Sequence, residues 1–81
     1  MNIIAYLKTG CPWCEGVKNF FDERNIQYEE RNVTQNPEYF KEMVDKSGQD
    51  KAPTLSVEGE IIADTDREQV EKFLKERGYI K

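Results

Sequence analysis

The chain has 81 residues, 37% of them hydrophobic and 35% charged, with a net charge of -4. That bounds it to one domain (residues 1–81) with a thin core, and charges of both signs leave no basic stripe for nucleic acid or anionic lipid. No apolar run approaches the ~20 residues that a membrane-spanning helix needs. Two cysteines and no histidine are present. The opening residues show neither a basic segment nor the apolar core of a secretion signal, so a cytoplasmic protein is expected.

Asn2–Lys8 reads as a buried strand, stopped by Thr9-Gly10. From Pro12 to about Asn25, residues Trp13, Val17, Phe20 and Phe21 recur at helical spacing, with Pro12 suited to the first helical position. Ile26–Val33 reads as a second strand with Ile26 and Tyr28 on one face. Asn36 can cap the next helix, with Pro37 at its first position. Tyr39, Phe40, Met43 and Val44 form its apolar stripe and Gly48 its stop.

Thr54–Val57 and Glu60–Ala63 flank Glu58-Gly59, the sequence of a tight hairpin. Thr65 or Asp66 can cap a last helix, in which Val70, Phe73 and Leu74 face inward before Gly78. The element order is therefore β-α-β-α-β-β-α. A right-handed crossover makes the first two strands parallel neighbours, and the hairpin adds antiparallel partners. The expected fold class is α/β: a four-stranded mixed sheet with helices on both faces.

Cys11 and Cys14 are the residues with chemistry. As a staple the pair is weak, since a loop of four residues gains about 2 kcal/mol against about 4 for one of about 50. Two thiolates without histidine leave a tetrahedral zinc site half built, so no metal site is expected. A C-x-x-C pair at a strand-to-helix junction instead indicates redox chemistry. Cys11 falls at the helix start, where unpaired N–H groups and the helix dipole favour an anion. Cys14 follows one turn later, close enough to form a disulfide. Cys11 is thus the exposed nucleophile and Cys14 the buried resolving thiol. Pro12 fixes the turn. Lys8 either supports the thiolate or is a solvated strand-end lysine. Trp13 either offers an aromatic face to a substrate or folds back onto the domain, and its place between the cysteines favours the first.

The segment Lys8-Thr9-Gly10-Cys11-Pro12-Trp13-Cys14 closely resembles the active-site segment of dithiol glutaredoxins. Lys51-Ala52-Pro53-Thr54 is similar to that family's cis-proline loop, and Glu42–Gln49 to the helix leading into it. The resemblance covers the whole chain and implies a minimal thioredoxin fold and a monomeric thiol–disulfide oxidoreductase. No tightly bound cofactor is implied. The implied partners are disulfide-containing protein substrates and, as co-substrate, glutathione or another low-molecular-weight thiol. Pro53 would be cis, presenting the Ala52 backbone to a substrate. Thr65 and Asp66 would bind the γ-glutamyl end of glutathione, and Lys8 would reach the thiolate or a glutathione carboxylate.

Two departures weaken the glutathione reading. Ala63-Asp64 stands where the family carries Gly-Gly, adding bulk and negative charge, and Phe40 stands where an Arg or Gln is common. The alternatives are a redoxin recharged by a thioredoxin-reductase-like flavoenzyme and a glutathione-ligated [2Fe-2S] carrier. Pro12 and the competing Cys14 argue against the second.

Overall fold

The computed structural model describes residues 1–80. Its elements run β1 (Ile3–Leu7), α1 (Pro12–Glu23), β2 (Glu29–Asn32), α2 (Pro37–Ser47), β3 (Thr54–Val57), β4 (Glu60–Ile62) and α3 (Arg67–Glu76). The strands form one sheet in the order β2-β1-β3-β4. β1 pairs parallel with β2, from Ile4 opposite Glu29 to Leu7 opposite Asn32, and antiparallel with β3. β3 pairs antiparallel with β4. This is the expected α/β arrangement, a thioredoxin-like mixed sheet.

Alternation along the central strands divides the interior into two layers. Ile3, Ala5, Leu7, Leu55 and Val57 pack with Cys14, Val17, Phe20 and Phe21 of α1 and Val70 and Leu74 of α3. On the opposite face Tyr6 packs with Val33 and with Met43 of α2, flanked by Ile4 and Tyr39. Helices therefore cover both faces, but unequally. A buried Leu or Phe contributes about 1.5–3 kcal/mol by area, so most of the hydrophobic stabilisation lies on the α1/α3 side.

Polar contacts complete each layer. The Tyr6 hydroxyl donates to Glu42, whose carboxylate also takes Arg31 and, at 3.7 Å, Lys46. Between α1 and α3, Arg67 makes a two-pronged pair with Glu23 at 2.6 and 2.8 Å, and Arg24 meets Glu71 at 2.6 Å. Both guanidiniums also lie over the Phe20 ring, 5.1 and 5.6 Å from its centroid. Solvent screens exposed pairs of this kind, so they orient the helices more than they stabilise the fold.

The local signals act as their chemistry requires. Asn36 caps α2 by accepting the Glu38 N–H at 3.0 Å, and Gly48 ends it at φ 71°. Glu58 and Gly59 both have positive φ, 50° and 86°, as a two-residue hairpin of this twist demands.

Four readings need correction. β1 spans Ile3–Leu7, inside the Asn2–Lys8 expected, and β4 stops at Ile62, before Ala63. β2 begins at Glu29: Ile26 and Tyr28 precede it, the Ile26 N–H donating to Phe21 at 2.9 Å and the Tyr28 ring packing 4.8 Å from that of Phe21. They anchor the approach to the strand by packing, without ladder bonds. Phe40 is 37% exposed, at the margin of the α2 stripe, because the layer beneath is filled by Met43 and Tyr39.

Candidate active site

The turn between β1 and α1 places the two sulfurs. Gly10 takes φ 74°, which swings the chain off the strand, and Cys11 follows as the N-cap of α1 with extended backbone (φ -98°, ψ 114°). Pro12 sits in the first turn, where its missing N–H costs nothing. The Cys14 backbone N–H donates to the Cys11 sulfur at 3.3 Å, filling the role of a capping oxygen. Cys11 is half-buried, with its sulfur at the positive end of α1.

Cys14 is placed differently. It is 1% exposed, packed among the residues between α1 and the sheet. Its sulfur accepts the backbone N–H of Lys8 at 3.4 Å. Burial, reinforced by the neighbouring Cys11 sulfur, pushes the Cys14 thiol up to about 12 against the opposing pull of the Lys8 N–H. One sulfur is thus accessible at a helix start and the other is buried in the core, the unequal placement that the spacing predicted.

Cys11 opens onto a groove of about 510 Å³ lined by Lys8, Thr9, Gly10, Pro12, Trp13, Lys51, Ala52, Asp64, Thr65 and Asp66. Of the residues expected at the site, Lys8, Pro12, Trp13, Ala52, Thr65 and Asp66 meet here. Trp13 is 65% exposed, so it faces outward and does not fold back.

Pro53 lies beneath the groove, fully buried, and joins Ala52 by a cis bond. Its carbonyl accepts the Thr65 N–H at 2.9 Å, tying the β4–α3 loop to the loop before β3. Thr65 is 3% exposed, and Asp66 is the cap of α3, its carboxylate accepting the Gln69 N–H at 2.9 Å. Asp66 therefore caps and lines the groove at once. Asp64 also lines it, holding a left-handed backbone at φ 50°. Phe40, on α2, is not among the lining residues.

Lys51 is the lining side chain for which sequence reasoning found no role. Its only signal was adjacency to Ala52-Pro53. Thr9 belongs to the frame of the site: its hydroxyl accepts from the Asn32 amide at 3.1 Å, and its N–H donates to the Thr34 hydroxyl at 3.1 Å. Among the described residues, no group of three or more Cys, Asp or Glu is gathered to hold a metal.

The glutaredoxin family model matches residues 3–62, which include both cysteines and the cis-proline loop. A glutaredoxin-like 8.6 kDa protein of the Clostridium pasteurianum rubredoxin operon is 27% identical over 90% of this chain and 97% of its own. Glutaredoxin 3 of Escherichia coli is 25% identical over 80% of this chain and 78% of its own. Among solved structures, the thioredoxin-like protein BC3987 superposes with a TM-score of 0.80, at 28% identity, over 89% of this chain and 99% of its own. A thioredoxin-like sheet, a helix-capping Cys11 above a buried Cys14, and a family match over most of the length converge on one assignment: this chain belongs to the glutaredoxin family of thiol–disulfide oxidoreductases.

Proposed function

We propose that the protein reduces protein disulfides and glutathione mixed disulfides, with Cys11 attacking, Cys14 resolving and glutathione as co-substrate. The observation that carries this is the Cys11 sulfur at the α1 N-cap, 3.3 Å from the Cys14 N–H, beside a Cys14 sulfur kept out of solvent. The Cys11 thiolate attacks one substrate sulfur, and a Cys11–sulfur bond forms as the substrate S–S bond breaks. The first substrate half leaves as a thiolate. Cys14 then gives its proton to that thiolate and attacks the Cys11 sulfur, expelling the second half. Two electrons pass from the dithiol to the substrate. Two glutathione molecules restore the dithiol by the same exchange in reverse, leaving as glutathione disulfide.

In this reading Trp13 and Pro12 pack against the substrate, and Ala52 pairs with it through the backbone over the buried Pro53. Thr65 and Asp66 receive the γ-glutamyl end, and Lys8 receives a carboxylate. One observation favours a second source of electrons: Asp64 lines the groove where a glutamyl carboxylate would lie. A flavoenzyme reductase that meets Cys11 through a protein surface would not need that subsite.

The two sources separate in a pair of assays, one with glutathione and glutathione reductase, the other with thioredoxin reductase. Turnover in the first supports glutathione coupling, and turnover in the second alone replaces it. A Cys11→Ser protein as active as the parent in either assay would refute the mechanism.

A further inference from the structure

The charges of the groove are sorted along it. β1 lies beside β3, and β3 beside β4. Lys8 follows β1, Lys51 and Ala52 lead into antiparallel β3, and Asp64 follows β4. All of these positions fall at one end of the sheet. The groove therefore runs from a cationic side at Lys8 and Lys51 to an anionic side at Asp64 and Asp66, with Cys11 on its lining.

The two aspartates are not equivalent. The Asp66 carboxylate is engaged by the Gln69 N–H. Asp64 is exposed and left-handed, a backbone conformation that glycine adopts without penalty. Its neighbour Thr65 is pinned to Pro53 at 2.9 Å, which fixes where Asp64 stands relative to the site. Aspartate tolerates this backbone, and its place on the wall of the groove brings its charge to whatever binds there.

We propose, resting on the disulfide-exchange reading above, that Asp64 is a specificity-determining residue. It selects polypeptide disulfides that carry an ammonium or guanidinium beside the reacting cysteine, and disfavours those with a carboxylate there. Lys8 and Lys51 accept an anionic group on the opposite flank.

The test uses the reduced protein and disulfide-linked dimers of short blocked peptides at low ionic strength. Lys, Gln or Glu is placed before the cysteine in one set and after it in a second. Trp13, the single tryptophan and placed between the two cysteines, reports oxidation of the dithiol by its fluorescence. Each rate constant is divided by that of the Gln peptide. The parent should prefer Lys over Glu peptides in at least one set, and Asp64→Asn should cut that preference roughly fivefold. Asn accepts the same left-handed backbone, so the loop is retained. Asp45→Asn, which removes an exposed charge from α2 on the far face, should leave the preference within about twofold, since that distance is screened.

No Lys preference in the parent, an unchanged preference in Asp64→Asn, or an equal loss in Asp45→Asn would overturn the proposal. Failure of the underlying mechanism looks different: Cys11→Ser would then exchange with the Gln peptides as fast as the parent.

Discussion

The backbone N–H of Lys8 reaches the Cys14 sulfur across 3.4 Å, so the last residue before the active-site turn helps hold the sulfur of the first turn of α1. That contact, with 1% exposure, makes the two thiols unequal. Iodoacetamide at pH 7.5 should modify Cys11 at least about tenfold faster than Cys14 in the reduced native protein, because attack requires both access and a thiolate. Peptide mapping of a time course reads this directly. Equal rates under native conditions would contradict the placement of Cys14.

Replacing each cysteine by serine should separate their roles. Cys11→Ser should abolish turnover on every disulfide. Cys14→Ser should lose reduction of protein disulfides that need both thiols, yet keep measurable turnover on glutathione mixed disulfides, which free glutathione can resolve. Coupled assays on both substrate types check it. Equal loss of both activities in Cys14→Ser would mean that Cys14 does more than resolve.

Asp64→Gly should act on two quantities that can be measured apart. Removal of a carboxylate from the glutamyl side of the groove should lower the KM for glutathione roughly fivefold at low salt, a gain of about 1 kcal/mol. Added salt should narrow the gap by screening the parent. Relief of the left-handed aspartate should leave unfolding free energy unchanged or raise it by up to about 1 kcal/mol. An unchanged KM at low salt would show that the Asp64 charge does not oppose glutathione.

Alkaline pH should weaken the reduced fold. Burial pushes the Cys14 thiol and the Tyr6 phenol each up to about 12, Tyr6 also through its hydrogen bond to Glu42. Unfolded, they titrate near about 9 and about 10, so the unfolded chain sheds these protons first as pH rises. The stability they contribute is complete below pH ~9 and falls progressively toward pH 12. Urea midpoints at pH 8, 9.5 and 11 should drop steadily for the parent and less steeply for Tyr6→Phe. A parent midpoint that is flat over this range would refute the assignment.

Much of this was legible in the sequence because its causes are local. Pro12, Asn36, Gly48 and Glu58-Gly59 set caps and a turn through their own backbone and side-chain chemistry, and the cysteine spacing set one sulfur a turn below the other. What failed is non-local. The second strand was expected from Ile26, but only its charged stretch from Glu29 pairs with β1, while Ile26 and Tyr28 earn burial without strand bonds. Lys51 was legible only as a member of the Lys51-Ala52-Pro53-Thr54 segment, with no role of its own. Only the antiparallel pairing of β1 with β3 brings it to the wall that Cys11 faces.

The unequal layers of the interior bear on where the molecule yields first. The groove is built from the β1–α1 turn and the loops entering β3 and α3, and α1 and α3 cover the larger core, whereas α2 packs its Met43 on Tyr6 and Val33 beside a polar cluster. Local opening follows the least buried apolar contact, so backbone amides of α2 should exchange with solvent ahead of those of α1. Fraying of that helix leaves the geometry around Cys11 standing. The chain can spend its least stable layer on breathing while its reacting sulfur stays aimed.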